Sequence, residues 1–311
     1  MNAWPLLHVG VFASVVMVIG WLWQRRSGNA GPVDVLWAGC LAVAAPYCAW
    51  MSDGAVLPRV LVAVLGGVWG ARLALHLGVR VFGDPHEDGR YRALREHWNG
   101  SQSKFLGFFL AQAVVVVLFA VPFLAAASNP NAQWSVWTGI AIVVWLIAVG
   151  GEALADRQLS AHKANPANRG KTCRAGLWRY SRHPNYFFEF VHWFAYLALA
   201  VGAGPWPVAL CALGPVVMFV FLYRFTGIPY TEQQALRSRG EDYAQYQRST
   251  SAFFPLPLRP DLPGELHVYR YRPAIRAARR SLRHAARRIR RAARCHLALR
   301  HPSPVRAAPA R

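Results

Sequence analysis

Asn185, Glu189 and His192 stand at i, i+4 and i+7 in Pro-Asn-Tyr-Phe-Phe-Glu-Phe-Val-His, an otherwise apolar run entered from a basic loop that contains Arg179 and Arg182. On a helix the three side chains share a wedge of about 60°. Pro184 suits the first turn of that helix, because its missing N–H would lack an intrahelical partner there in any case; a start near Asn185 is expected. An amide, a carboxyl and an imidazole on one face bring polar groups to a membrane entrance. The plainer outcome for the same residues is a helix cap followed by an ion pair with Arg182. Ionisable groups at membrane depth are costly and ordinarily face a cavity or a partner, which favours a functional site.

Other residues have comparable potential. Asp34 lies in Val-Asp-Val-Leu-Trp, directly after Gly31-Pro32. A carboxylate one turn inside a spanning helix is either a charge favoured by the helix dipole or a buried reactive acid, and both readings stand. Trp69, Arg72, His76 and Arg80 form a stripe at i, i+3, i+7 and i+11. Arg80 can snorkel, whereas Arg72 sits about two turns deeper and needs an anionic partner or water. Glu152, Asp156, Ser160 and Lys163 follow at helical spacing and predict a charged ridge beyond the membrane. The next stretch, Asn165 to Arg174, is a turn-rich basic loop suited to an anionic group, without Walker spacing. By contrast, Asp84 to Gly89 reads as a surface loop before a short helix, and Gln112 as the one polar residue of a scaffold segment.

Apolar segments must hold these residues. The chain is 54% hydrophobic yet carries a formal charge of +21, and the two properties belong to different parts of it. After Leu256 fifteen Arg face only Asp261 and Glu265, so the last 55 residues hold +13 of that charge. We therefore divide the chain into a membrane domain, 1–257, and an Arg-rich cytoplasmic tail, 258–311. Seven windows are long and apolar enough to span a core of about 30 Å: 5–23, 33–51, 57–79, 105–127, 134–155, 187–203 and 206–223. This makes the fold all-α and polytopic. The connections 24–32, 80–104, 156–186 and 224 onward collect the Lys and Arg, while only Arg59 lies in or beside 52–56, 128–133 and 204–205. Positive-inside bias then puts the N-terminus outside and the C-terminus in the cytoplasm. The first segment lacks a basic flank before it and a small-residue cleavage site after it, so it is expected to stay as a helix. The five Cys show no paired spacing and indicate neither disulfides nor a metal site. In the tail, Ile275, Leu282 and Ile289 recur every seven residues among arginines. That pattern predicts a basic helix on an anionic inner leaflet; nucleic acid is a weaker alternative resting on charge alone.

Gly176-Leu-Trp-Arg-Tyr-Ser-Arg-His-Pro-Asn-Tyr186, then Glu189, with Gly240-Glu-Asp-Tyr243 downstream, resembles the bacterial members of the steroid 5-alpha-reductase C-terminal-domain superfamily over roughly residues 30–257. The resemblance implies a seven-helix fold in a bacterial inner membrane, NADPH entering from the cytoplasm and an apolar double-bond substrate, steroid- or lipid-like, entering from the bilayer. By position, Asp156, Lys163, Lys171, Arg179, Arg182, Asn185, Tyr186, Glu189 and Tyr243 would line the dinucleotide. Asp34 and the third-helix Arg72 would serve catalysis, Asp34 as the acid that polarises the substrate carbonyl. Trp69 stands where steroid reductases have Tyr, which points away from steroids, and Phe188 replaces a small residue, which implies a narrower cofactor groove. Isoprenylcysteine carboxyl methyltransferases also resemble the chain through Arg182 to Tyr186, Glu232-x-x-x-Leu236 and Gly240-x-x-Tyr243-x-x-Tyr246. The expected activity is therefore an NADPH-dependent membrane reductase, with an S-adenosylmethionine-dependent methyltransferase or a non-enzymatic membrane protein as alternatives.

Overall fold

The computed structural model describes residues 2–225 and 227–258; the basic helix expected at 270–300 lies outside them. Twelve α-helices are described: α1 Trp4–Ser27, α2 Pro32–Met51, α3 Val56–Phe82, α4 Gly89–His97, α5 Gln102–Ala127, α6 Val136–Ala164, α7 Pro184–His192, α8 Phe194–Leu199, α9 Pro205–Cys211, α10 Leu213–Val220, α11 Ile228–Arg239 and α12 Glu241–Ser249. A π turn, Phe221–Phe225, follows α10. No strand forms among the described residues; Ser181 and Ser251 make one isolated bridge. The protein is a polytopic helical membrane protein. Six helical stretches are long and apolar enough to cross a membrane: α1, α2, α3, α5, α6 and the run beginning at Pro205.

The segment expected at 187–203 is two helices, α7 and α8, joined at Trp193, whose N–H reaches back to Phe190 O at 3.3 Å. It still connects the two ends of the bundle. At the far end Asn129 Nδ2 donates to Leu199 O at 2.7 Å, and Ala55 N donates to Asn129 O at 2.9 Å. The joint at Ala212 between α9 and α10 precedes Pro215, which has no N–H to give to Cys211 O.

Packing of α2 on α3 sets the position of Asp34 relative to Arg80. Gly66 and Gly70, spaced as in a membrane GxxxG contact, face the small residues of α2. A Cβ on Gly70 would lie 2.6 Å from Ala42 N, and one on Gly66 would lie 2.4 Å from Ala45 Cβ. Across the bundle, α6 yields to α7 at Gly151, where a Cβ would come within 2.5 Å of the Phe188 ring. Phe188 is thus housed against α6 and is not among the residues that line the cavity described below.

The loop 165–183 is fastened from both sides. Trp178 Nε1 donates to Ala155 O at 2.9 Å, and Gly176, at φ 60°, turns where a side chain would strike Gln158. The chain returns after α12 so that Arg182 N donates to Ser251 O at 2.8 Å and Ser181 Oγ donates to Phe253 O at 2.8 Å. Gly240, at φ 55°, separates α11 from α12. Tyr243 and Tyr246 are buried as expected of the apolar side, whereas Leu236 is exposed and Ala235 takes the inward position.

Candidate functional site

A cavity of about 980 Å³ opens at the end of the bundle where α2, α3, α6, α7 and α11 converge. Its basic wall comes from three elements: Lys163 at the end of α6, Arg169 and Lys171 in the following loop, and Arg239 at the end of α11. None of these four pairs with a carboxylate among the described residues. Arg239 lies over the Tyr243 ring at 4.9 Å, and its Nε is buried without a hydrogen-bond partner. Such a wall suits a polyanionic group, because its charge is not already neutralised.

Asp156 and Asn185 lie on the deeper wall. Asp156 accepts from Arg72 at 2.9 Å and from Asn185 Nδ2 at 3.4 Å, while Arg72 also reaches Glu152 at 2.6 Å. Arg72 thus has the anionic partners that its depth requires. It ties α3 to α6 behind the wall and does not line the cavity.

A second chamber of about 270 Å³ adjoins the first and is mostly apolar, with Phe108, Val115 and Phe119 of α5 facing Met218 and the π turn. The two spaces share Asp34, Trp37, Arg90, Glu189, Leu222 and Tyr230. At this junction Asp34 accepts from Arg90 at 2.7 Å and from the Tyr91 hydroxyl at 2.6 Å, with Arg80 at 4.0 Å. Burial works against the charge on Arg90, but Asp34 and Asp88 more than offset it and hold the guanidinium pKa well above its ordinary value. Burial and the Asp34 charge push the Tyr91 phenol well up, so it keeps the proton it donates. Glu189 faces both spaces and has no hydrogen bond or ion pair among the described residues.

Of the expected site residues, Asp34, Asp156, Lys163, Lys171, Arg182, Asn185, Tyr186, Glu189 and Tyr243 line the cavity. Two do not: Arg72 sits behind the wall, and Arg179 is exposed on a short 3₁₀ turn. Arg182 reaches the cavity with its Nε and one terminal nitrogen already engaged. Its Nε donates to Glu232 at 2.6 Å, and one terminal nitrogen donates to the carbonyls of Gln247, at 3.1 Å, and Thr250. It clamps the 176–183 loop to α11 and α12, and the ion pair weighed for it with Glu189 does not form. His192, although in phase with Asn185 and Glu189, is buried away from the cavity, stacked on Trp69 at 4.2 Å and paired with Tyr196 at 2.9 Å.

Arg90, Tyr91, Tyr230, Arg239 and Gln112 were not anticipated. Arg90 and Tyr91 follow what reads as a surface loop, at the start of a short helix, and no local spacing connects residue 90 to residue 34. The available signal was the sequence Asp88-Gly-Arg90, where the Asp88 side chain caps α4 by accepting from Arg90 N at 2.9 Å.

A family described as a protein of unknown function, DUF1295, matches residues 20–250. No curated protein and no solved structure matches the chain.

Proposed function

The chain belongs to the DUF1295 family, and we propose that it is a membrane-embedded, NADPH-dependent reductase of an activated carbon–carbon double bond in an apolar, steroid- or lipid-like molecule. One observation carries the reading: a cavity with an unneutralised basic wall meets an apolar chamber at a junction of Asp34, Arg90 and Glu189. Reduction of an apolar molecule by a dinucleotide needs that pairing of environments. The resemblance of 176–189 to the steroid 5-alpha-reductase superfamily supports the same assignment.

The residues present fit the cofactor. A pyrophosphate and a 2′-phosphate need several charge-assisted donors, and Lys163, Arg169, Lys171 and Arg239 offer them, the last with a buried unpartnered Nε. NADPH, when bound, would supply hydride. Asn185 and Glu189 would orient its polar groups near the junction. Asp34 differs from the role expected of it. Both of its oxygens accept hydrogen bonds, so Asp34 holds Arg90 in place, and the Arg90 guanidinium is the group that would polarise a substrate carbonyl. The apolar chamber would exclude water from the reacting carbon.

Titration of purified full-length protein with NADPH and with S-adenosylmethionine tests this reading. We expect tighter binding of NADPH, weakening as salt rises, with Lys171→Ala and Arg239→Ala each costing about 1–3 kcal/mol in affinity. Arg182→Ala should act chiefly on stability, since its Nε and one terminal nitrogen hold Glu232 and two backbone carbonyls within the protein. Saturable S-adenosylmethionine binding without a response to NADPH would replace the reductase by a methyltransferase; binding of neither would favour a non-enzymatic role.

A further inference from the structure

Gln112 is the one uncharged amide side chain in the apolar chamber. It lies on α5, ten residues from the helix start and about 15 Å along the axis, well inside the span. Phe108, Gln112, Val115 and Phe119 fall at i, i+4, i+7 and i+11, so one face of α5 turns all four towards the chamber. Its amide makes no hydrogen bond among the described residues. An amide held at that depth without a partner is costly, and a scaffold position would be filled more favourably by Leu or Val. Gln112 is also not among the residues shared with the polar cavity, so it lies on wall that the basic site does not reach.

We infer that Gln112 is a specificity-determining residue that hydrogen-bonds a second polar group of the substrate, at the end remote from the reacting carbon. The inference rests on the chamber being the substrate site. The ligand class is then a small apolar molecule carrying two oxygen functions: one presented to Arg90 at the junction, the other a carbonyl or hydroxyl presented to the Gln112 amide. A pure hydrocarbon tail would leave that amide unsatisfied and be disfavoured, as sites built to hydrogen-bond one group reject analogues that lack it. At about 270 Å³ the chamber is slightly smaller than most ligand pockets, which span about 300–1,000 Å³. This suits a compact one- or two-ring or short-chain molecule rather than a long lipid held along its whole length.

The test uses two probes, a bicyclic enone with a second ketone on the far ring and the same enone without it. Binding to full-length protein in lipid nanodiscs is measured by equilibrium dialysis against empty nanodiscs, and NADPH binding is measured on the same samples. Wild-type protein should prefer the diketone about tenfold. Gln112→Leu should erase that preference by weakening the diketone alone, and Val115→Trp, which fills the chamber, should abolish binding of both. Gln112→Met, closer to glutamine in length, carries the comparison should the leucine variant not assemble. An unchanged preference in the Gln112 variants, or none in wild type, overturns the role of Gln112 and leaves the reductase reading standing. Failure of both probes to bind wild type, or undiminished binding to Val115→Trp, removes the chamber as a substrate site and the inference with it.

Discussion

Arg72 shows why a single charge can be tolerated at membrane depth: Glu152 at 2.6 Å and Asp156 at 2.9 Å answer it from the neighbouring helix. Removing one partner of such a group strands the other, so Arg72→Met should destabilise the protein by roughly 3–5 kcal/mol. Unfolding midpoints in detergent would read this directly, and a loss under about 0.5 kcal/mol would mean that the network contributes little. His183 makes a second residue-scale case. It is buried, stacked on Tyr186 at 5.3 Å, and burial lowers its pKa from 6.5 although the nearby Glu232 opposes the shift. Below pH 6.5 the unfolded imidazole takes up a proton that the folded one refuses, so stability present above that pH is lost as the pH falls. Midpoints at pH 7.5 and 5.5 should therefore separate more for wild type than for His183→Asn; equal separations would rule out His183 as the cause.

At the scale of elements, the α2–α3 contact is the most exacting, because Asp34 and Arg80 meet the cavity only if the two backbones approach closely. Gly70→Ala places its new carbon 2.6 Å from Ala42 N and should cost about 1–3 kcal/mol through forced separation of the helices. Gly67→Ala, one position from Gly66 but with Ala42 O no nearer than 3.6 Å, is the matched control and should be within about 0.5 kcal/mol of wild type. Similar losses for both would show that helix propensity, rather than close approach, decides the effect. The Gly66-x-x-x-Gly70 spacing is legible in the sequence, but it carries no address: many apolar helices contain small residues, and only the position of Ala42 shows which are contacts. Arg182 illustrates the opposite case. Its sequence neighbourhood points to an anion, yet α11 and α12 fold back to supply Glu232 and two carbonyls, which turns a binding arginine into a clamp.

For the whole molecule, the cavity and the basic connections lie at the same end of the bundle, and we take that end as cytoplasmic on the positive-inside rule. Reporter fusions after Gly54, Ser128 and Gly204 should read outside, and fusions after Gly170 and Pro257 inside; a cytoplasmic reading at Gly54 would reverse the assignment. The sequence by itself determined the membrane class, the approximate ends of the helices and several polar residues of the cavity wall, because hydropathy and helical phase are local properties. Asp156, Lys163, Asn185 and Glu189 were legible for that reason. Phase alone also put His192 with them, and was misleading: three residues beyond Glu189, the last residue of α7 on the wall, its ring is stacked against Trp69. What only the tertiary structure decided were the pairings across distance. Asp34 meets Arg90 and Tyr91 of α4, 56 and 57 residues away, Gln112 turns from scaffold into chamber wall, and Arg72 is withdrawn behind Asp156. Each is a contact between groups whose separation along the chain carries no periodic signal, so burial and mutual neutralisation become visible only once the helices are assembled.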